Sequence, residues 1–284
     1  MVGGFGFLLL LLLAGSLAGL SMAQPTRYRV EAWSRGRGLG LTSANRPVVG
    51  YYLRTARLLR LIGAMAGTVL PGLVMLAYQG EKSALGTFSG VAWAYVGYLV
   101  GSLYAELSLA RPTGGRRAAS LAPRSLGDYL PLSHVWAQRG LAGAVVAGGA
   151  FASLLDPAPV VWVNGFGTGA GAIVVALMAL TVAVVVETLE RWIVRRPQPL
   201  TRPDLVAADD AIRSHSLHSF CGSALALLVL LASAQAAVLG QRDLAGLRRP
   251  LFAAAAFGLL ASFAICMSFA HRTWQVHRPV ASVS

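Results

Sequence analysis

Residues 207–222, AADDAIRSHSLHSFCG, bring together side chains that could do chemistry. Asp210, His215, His218 and Cys221 supply a carboxylate, two imidazoles and a thiol. The last three recur every third residue, so on a helix they are neighbours along one side. Such a side could offer ligands to zinc or copper. A carboxylate with an imidazole could instead serve as a general base and a general acid.

The spacing of these four residues limits both interpretations. Asp210 lies about 12 Å along a helix from His218, so it cannot complete the same site, and it has no predicted partner. Further ligands would have to come from distant residues such as His134, Glu190 or His271. The sequence also lacks hydrolase, P-loop, zinc-protease and lipid-phosphate transferase motifs. We therefore expect no metal and no cofactor, and treat the four residues only as a candidate site.

Ordinary helix chemistry explains part of the same segment. Thr201 can cap a helix that has Pro203 and Asp204 in its first turn. Asp209 and Arg213 stand four residues apart, a spacing that favours an ion pair. The main prediction is an interfacial helix that kinks into the membrane. A surface that responds to pH or to a partner protein is a further alternative.

The composition predicts an integral membrane protein. Of 284 residues, 56% are hydrophobic and 12% are charged, against about 25% charged in soluble domains. The net charge of +13 is explained by basic loops facing anionic lipids, so we expect a lipid bilayer and no nucleic acid as a partner. Cys221 and Cys266 both fall in apolar stretches, where buried free thiols are typical.

Hydropathy predicts an all-α polytopic transmembrane helix bundle of about seven spans, an anchor helix followed by three helix hairpins. The apolar segments are 5–23, 61–78, 87–109, 140–155, 166–187, 218–239 and 250–270. The short segment 140–155 is expected to extend upstream or to be tilted. Three units follow: an N-terminal anchor helix at 1–23 (alternatively a cleaved signal peptide), a basic cytoplasmic segment at 24–60, and a membrane domain of about six helices at 61–284.

The distribution of basic residues predicts the orientation. With the N-terminus outside and the C-terminus in the cytoplasm, the inner segments contain 20 of the 24 lysines and arginines. The expected location is the plasma membrane. Glu106 and Glu187 then lie at inner helix ends, where they can pair with Arg111 and Arg191. Apart from these helix ends, the predicted spans contain almost no carboxylate inside the membrane. That near absence argues against a proton-coupled carrier.

Small residues and Arg-Pro pairs indicate how the helices pack. Arg-Pro pairs end three helices at intervals of roughly 80 residues, which predicts three similar hairpins. The alternative is that Arg-Pro simply ends helices well at an inner surface. G-x-x-x-G spacing predicts close helix contacts at Gly15/Gly19, Gly63/Gly67, Gly97/Gly101 and Gly167/Gly171.

The stretch ERWIVRRPQPLTRPDLVAADDAIRSHSLHSFCG, residues 190–222, resembles uncharacterised multi-pass membrane proteins of actinobacteria. The resemblance covers about a third of the chain and implies a membrane location without an activity.

Two functional hypotheses remain from the sequence. The favoured one is a non-catalytic, permease-like or accessory membrane component that works with a cytoplasmic or membrane protein partner. The alternative is a membrane-embedded enzyme or metal-handling protein that uses Asp210, His215 and His218 at the cytoplasmic face.

Overall fold

The computed structural model describes residues 27–77, 85–109, 124–154, 168–197, 202–240 and 246–271. Within these ranges every regular element is a helix, which confirms the all-α class. The helices are α1 (Arg27–Arg35), α2 (Asn45–Ala77), α3 (Leu85–Leu109), α4 (Leu132–Leu154), α5 (Thr168–Arg195), α6 (Pro203–Gly240) and α7 (Arg248–His271), with a 3₁₀ turn at Leu126–Asp128 before α4.

Three of these helices are long and apolar enough to cross a membrane: α5 over Gly171–Arg195, all of α6, and α7 over Arg249–Cys266. The predicted spans at 61–78, 87–109 and 140–155 fall on α2, α3 and α4. α4 begins at Leu132, so the expected upstream extension is confirmed. The predicted anchor helix at 1–23 lies outside the described residues.

The six long helices pack most extensively as three consecutive pairs, α2 with α3, α4 with α5, and α6 with α7. Two of the predicted glycine pairs meet in the first of these. A Cβ added at Gly63 would lie 2.1 Å from the carbonyl oxygen of Gly97, and one added at Gly67 would lie 3.0 Å from the Gly97 Cα. Only glycine therefore allows these backbones to approach so closely. Gly171, by contrast, has no such neighbour within 4 Å among the described residues, and Gly15, Gly19 and Gly167 lie outside them.

α6 is the central helix of the described bundle. It contacts α2, α3, α4, α5 and α7, and most of its side chains are buried. Its 38 residues extend about 57 Å, well beyond the roughly 30 Å of a bilayer core. α6 begins at Pro203 with Asp204 in its first turn, as predicted. Residues 203–240 form one continuous helix, and its first half packs on neighbouring helices.

The first half of α6 is covered by the basic N-terminal segment. Val30 of α1 and Val49 of α2 pack on Ala208 and Ala211 of α6. The starts of the two long helices are also joined by a hydrogen bond from the Thr42 hydroxyl to Asp204, 2.7 Å long. We call this end of the bundle the polar end; it comprises α1, the first turns of α2, α4 and α6, and the last turns of α3 and α5.

Candidate functional site

A ladder of ion pairs crosses the polar end between α3, α5 and α6. Arg196, just after α5, donates to Glu106 of α3 over 3.0 Å and to Asp209 of α6 over 3.1 Å. Asp209 also accepts from Arg213 over 2.7 Å, which confirms the predicted pair. Glu106 accepts a further hydrogen bond from the Ser216 hydroxyl. We call Glu106, Arg196, Asp209 and Arg213 the ionic ladder.

Arg213 is fully buried and also binds the C-terminal end of α5. Its guanidinium donates to the carbonyl oxygens of Ile193 at 2.9 Å, Val194 at 3.1 Å and Pro197 at 3.1 Å. Carbonyl groups at the end of a helix lack the next turn's N–H donors, and a cation at a helix C-terminus is favourable. The ladder therefore stabilises the join between α5 and α6.

Next to the ladder, two arginines converge on one imidazole. Arg37, in the turn between α1 and α2, places Nη2 2.8 Å from His215 Nδ1. Arg60 of α2 places Nη1 3.5 Å from His215 Nε2. Trp33 and Tyr52 meet the same ring edge-on, each with its centroid 5.9 Å away. We call Arg37, Arg60 and His215 the arginine–histidine cluster.

The arginine–histidine cluster is strongly desolvated. Burial lowers the pKa of Arg37 to about 10, and the neighbouring charge of Arg60 acts in the same direction. Burial also raises the pKa of Tyr52, whose hydroxyl lies 3.0 Å from the Ser216 hydroxyl. Burial also acts to lower the pKa of Arg60, but the charges of Tyr98, Tyr52 and Glu106 outweigh it and raise that pKa overall. The cluster thus holds two positive charges that are largely removed from water.

The structure divides the four predicted site residues among different neighbours. Asp210, which had no predicted partner, accepts a hydrogen bond of 2.9 Å from the Tyr129 hydroxyl. Burial, followed by the charge of Asp210, raises the pKa of Tyr129 to about 12. His215 belongs to the arginine–histidine cluster, whereas Cys221 packs in an apolar cluster with Leu130.

His218 lies near one of the distant ligands proposed from the sequence. Its ring centroid is 6.4 Å from that of His134 on α4. However, His218 Nδ1 is 2.7 Å from the Ser214 carbonyl oxygen, so it donates there and does not act as a base on the Ser214 hydroxyl. In the part of the chain that the structure describes, no three His, Cys, Asp or Glu side chains are grouped to hold a metal. The side chain of His271 lies outside that part.

The structure contains two buried carboxylates, whereas the sequence predicted that buried carboxylates would be nearly absent. Glu106 is completely buried and pairs with Arg196, while Arg111 lies outside the described residues. Glu190 is also completely buried, and in the described part of the chain neither of its oxygens has a hydrogen-bond partner. The sequence contained a signal for Glu190, because it follows Val186 and precedes Ile193 on the buried stripe of α5. Glu187 lies outside this stripe and pairs with Arg191 over 2.5 Å, as predicted.

Comparison with protein-family models, curated proteins and solved structures finds no match to this chain. Its site is therefore interpreted from its own geometry.

Proposed function

We propose that the chain is a plasma-membrane bundle of about seven spans, with its N-terminus outside and its C-terminus in the cytoplasm. It acts as a non-catalytic, permease-like or accessory component together with a cytoplasmic partner. The observation that carries this proposal is the central helix α6, which is packed among five other helices and has ionisable groups buried along its first half.

Ionisable side chains are costly inside a membrane bundle, and they commonly mark pathways for ions or solutes. At the polar end, Glu106 from α3 belongs to the ionic ladder and His215 from α6 belongs to the arginine–histidine cluster. Glu190 adds a buried carboxylate with two free acceptor oxygens, which can take up a proton or a cation. These groups favour a permease-like role over a purely structural one.

Exposed apolar side chains at the polar end support a partner. Trp136 of α4 is 65% exposed and Leu132, one turn earlier, is 59% exposed. In the predicted orientation both lie on the cytoplasmic side of the span at 140–155. The catalytic or metal-handling alternative is not advanced, because Asp210 and His215 are held by different neighbours.

Cysteine accessibility tests the permease-like role. In a Cys221→Ala, Cys266→Ala background, Ser214→Cys places a thiol at the polar end and Leu228→Cys places one in the apolar core of α6. A membrane-impermeant maleimide applied to inside-out vesicles should label position 214 and leave position 228 unlabelled, because a permease must open its polar end to water. Equal absence of labelling at both positions would contradict the role.

Photo-crosslinking tests the partner. A photoreactive residue at Trp136 should capture one defined protein in intact cells, whereas the same residue at Phe257, which is 72% exposed on α7, should capture only lipid. If neither position captures a protein, the accessory role is wrong. A reporter at residue 40 that reads as external would separately overturn the orientation.

A further inference from the structure

The arginine–histidine cluster holds two guanidinium groups that lack carboxylate partners. Arg37 is 8% exposed and Arg60 is 7% exposed, so neither charge is solvated as it would be on a surface. Within the described ranges no Asp or Glu oxygen lies within 4.0 Å of either group. Glu106, whose charge acts on Arg60, already accepts from Arg196 and Ser216.

Several donors in this cluster have no acceptor. The Nε of Arg37 and both the Nε and Nη2 of Arg60 are buried and have no hydrogen-bond partner among the described residues. His215 cannot supply what is missing, because a neutral imidazole has a single acceptor nitrogen and both of its nitrogens already face an arginine. Buried donors without acceptors and like charges side by side are both unfavourable.

An anion with several oxygens would satisfy these groups together. The planar guanidinium presents its N–H groups as a fork that matches two oxygens of a phosphate. Two such forks with an imidazole between them suit one tetrahedral anion better than a single carboxylate. His215 is only partly buried, which gives the cluster a side open to the surroundings.

We propose that Arg37, Arg60 and His215 form a binding site for a phosphate-class anion. Arg60 directly precedes the predicted span at 61–78, so in the proposed orientation the site lies at the depth of the inner headgroups. The phosphate is carried either by an anionic lipid or by a free solute, and the chemistry of recognition is the same. The site stands independently of the permease-like role, since it requires binding and no transport.

Thermal unfolding of the full-length protein in nanodiscs tests the site. One arm uses phosphatidylcholine nanodiscs with inorganic phosphate, compared with chloride at equal ionic strength. The other arm replaces part of the phosphatidylcholine with phosphatidylglycerol. Because a bound ligand raises the stability of the folded state, we expect the wild-type melting temperature to rise in at least one arm.

Substitutions in the cluster test whether the rise in melting temperature comes from this site. Arg60→Met and Arg37→Met should weaken apparent binding by about tenfold or more, the loss expected for hydrogen bonds to a charged group. Arg60→Lys keeps the charge without the fork and should show a smaller loss. Arg54→Met removes a charge from an exposed position on the same helix and should respond as the wild type does.

Each outcome bears on the proposal. A wild-type response to inorganic phosphate that Arg60→Met lacks assigns the site to a free phosphate, and a response restricted to phosphatidylglycerol assigns it to a headgroup. No wild-type response in either arm overturns the site. If the melting temperature of Arg60→Met rises as much as that of the wild type, the site is overturned as well, even if Arg37→Met does not fold.

Discussion

Two arginine-rich regions lie side by side on α6, and they differ in what surrounds their charges. In the ionic ladder, Arg196 and Arg213 face two carboxylates, Glu106 and Asp209. In the arginine–histidine cluster, Arg37 and Arg60 face one shared imidazole, and Arg37 Nη1 also donates to the Trp33 carbonyl oxygen over 3.2 Å. All four arginines are buried, so the difference between the regions lies in the partners of the guanidinium groups.

This difference separates structure from binding. A buried guanidinium is tolerated when carboxylates and carbonyl oxygens take up its N–H groups, as they do around Arg213. Without a ligand, a buried guanidinium that has unsatisfied N–H groups lowers the stability of the folded protein. The same guanidinium is stabilised most when an anion binds to it. The comparison therefore predicts opposite signs for the same kind of substitution in the two regions.

The largest effect is expected in the ladder. Arg213→Met should lower the free energy of unfolding by about 3–5 kcal/mol, because it leaves Asp209 without one partner and removes the side-chain donor to three carbonyl groups at and just after the end of α5. Denaturant unfolding in mixed micelles measures the change. Arg195→Met, at an exposed position on α5, is the control and should have little effect.

The opposite sign is expected in the cluster. Without phosphate, Arg60→Met should raise the free energy of unfolding by roughly 1–3 kcal/mol, because it removes a charge whose N–H groups are unsatisfied. The same micelle titration measures it, with Arg54→Met as the exposed control. A loss of stability as large as that of Arg213→Met would show that both regions are structural and would end the distinction.

The sequence predicted the helices better than it predicted the partners. Hydropathy located the apolar segments on α2 to α7, and i,i+4 spacing found Asp209–Arg213 and Glu187–Arg191, because both signals are local. The glycine pairs at 63/67 and 97/101 predicted close contact but did not say that they would meet each other.

The candidate site could be predicted only in part, because its contacts join distant segments. His215 was selected from spacing with His218 and Cys221, yet its main neighbours, Arg37 and Arg60, are more than 150 positions away in the chain. A separation of 81 positions likewise concealed the pairing of Asp210 with Tyr129. Helical spacing identifies neighbours on one helix, and only the packing of the other helices decides which side each residue faces.

A smaller effect tests Asp210, a predicted site residue that belongs to neither region. Tyr129→Phe removes the hydrogen bond to Asp210 and should lower the free energy of unfolding by about 1 kcal/mol, because Asp210 is only partly buried and water can replace the hydroxyl. Tyr51→Phe, at a position 62% exposed, is the control. If Tyr129→Phe changed the response of the melting temperature to phosphate, the anion site would extend to Asp210. The two arginine-rich regions would then be less distinct.

The smallest effect is expected at Glu187, where one carboxylate again pairs with two arginines but in contact with solvent. Glu187 accepts from both Arg139 and Arg191, yet the two arginine side chains are 42% and 60% exposed. Arg139→Gln should therefore cost about 0.2–1 kcal/mol, and the cost should shrink at high salt because solvent and ions screen exposed charges. The same unfolding titration at low and high salt measures this, with Arg213→Met as the buried reference whose effect should change much less with salt. If Arg139→Gln matched Arg213→Met in size and in salt independence, burial would not be what distinguishes the ladder. Partner geometry alone would then explain its stability.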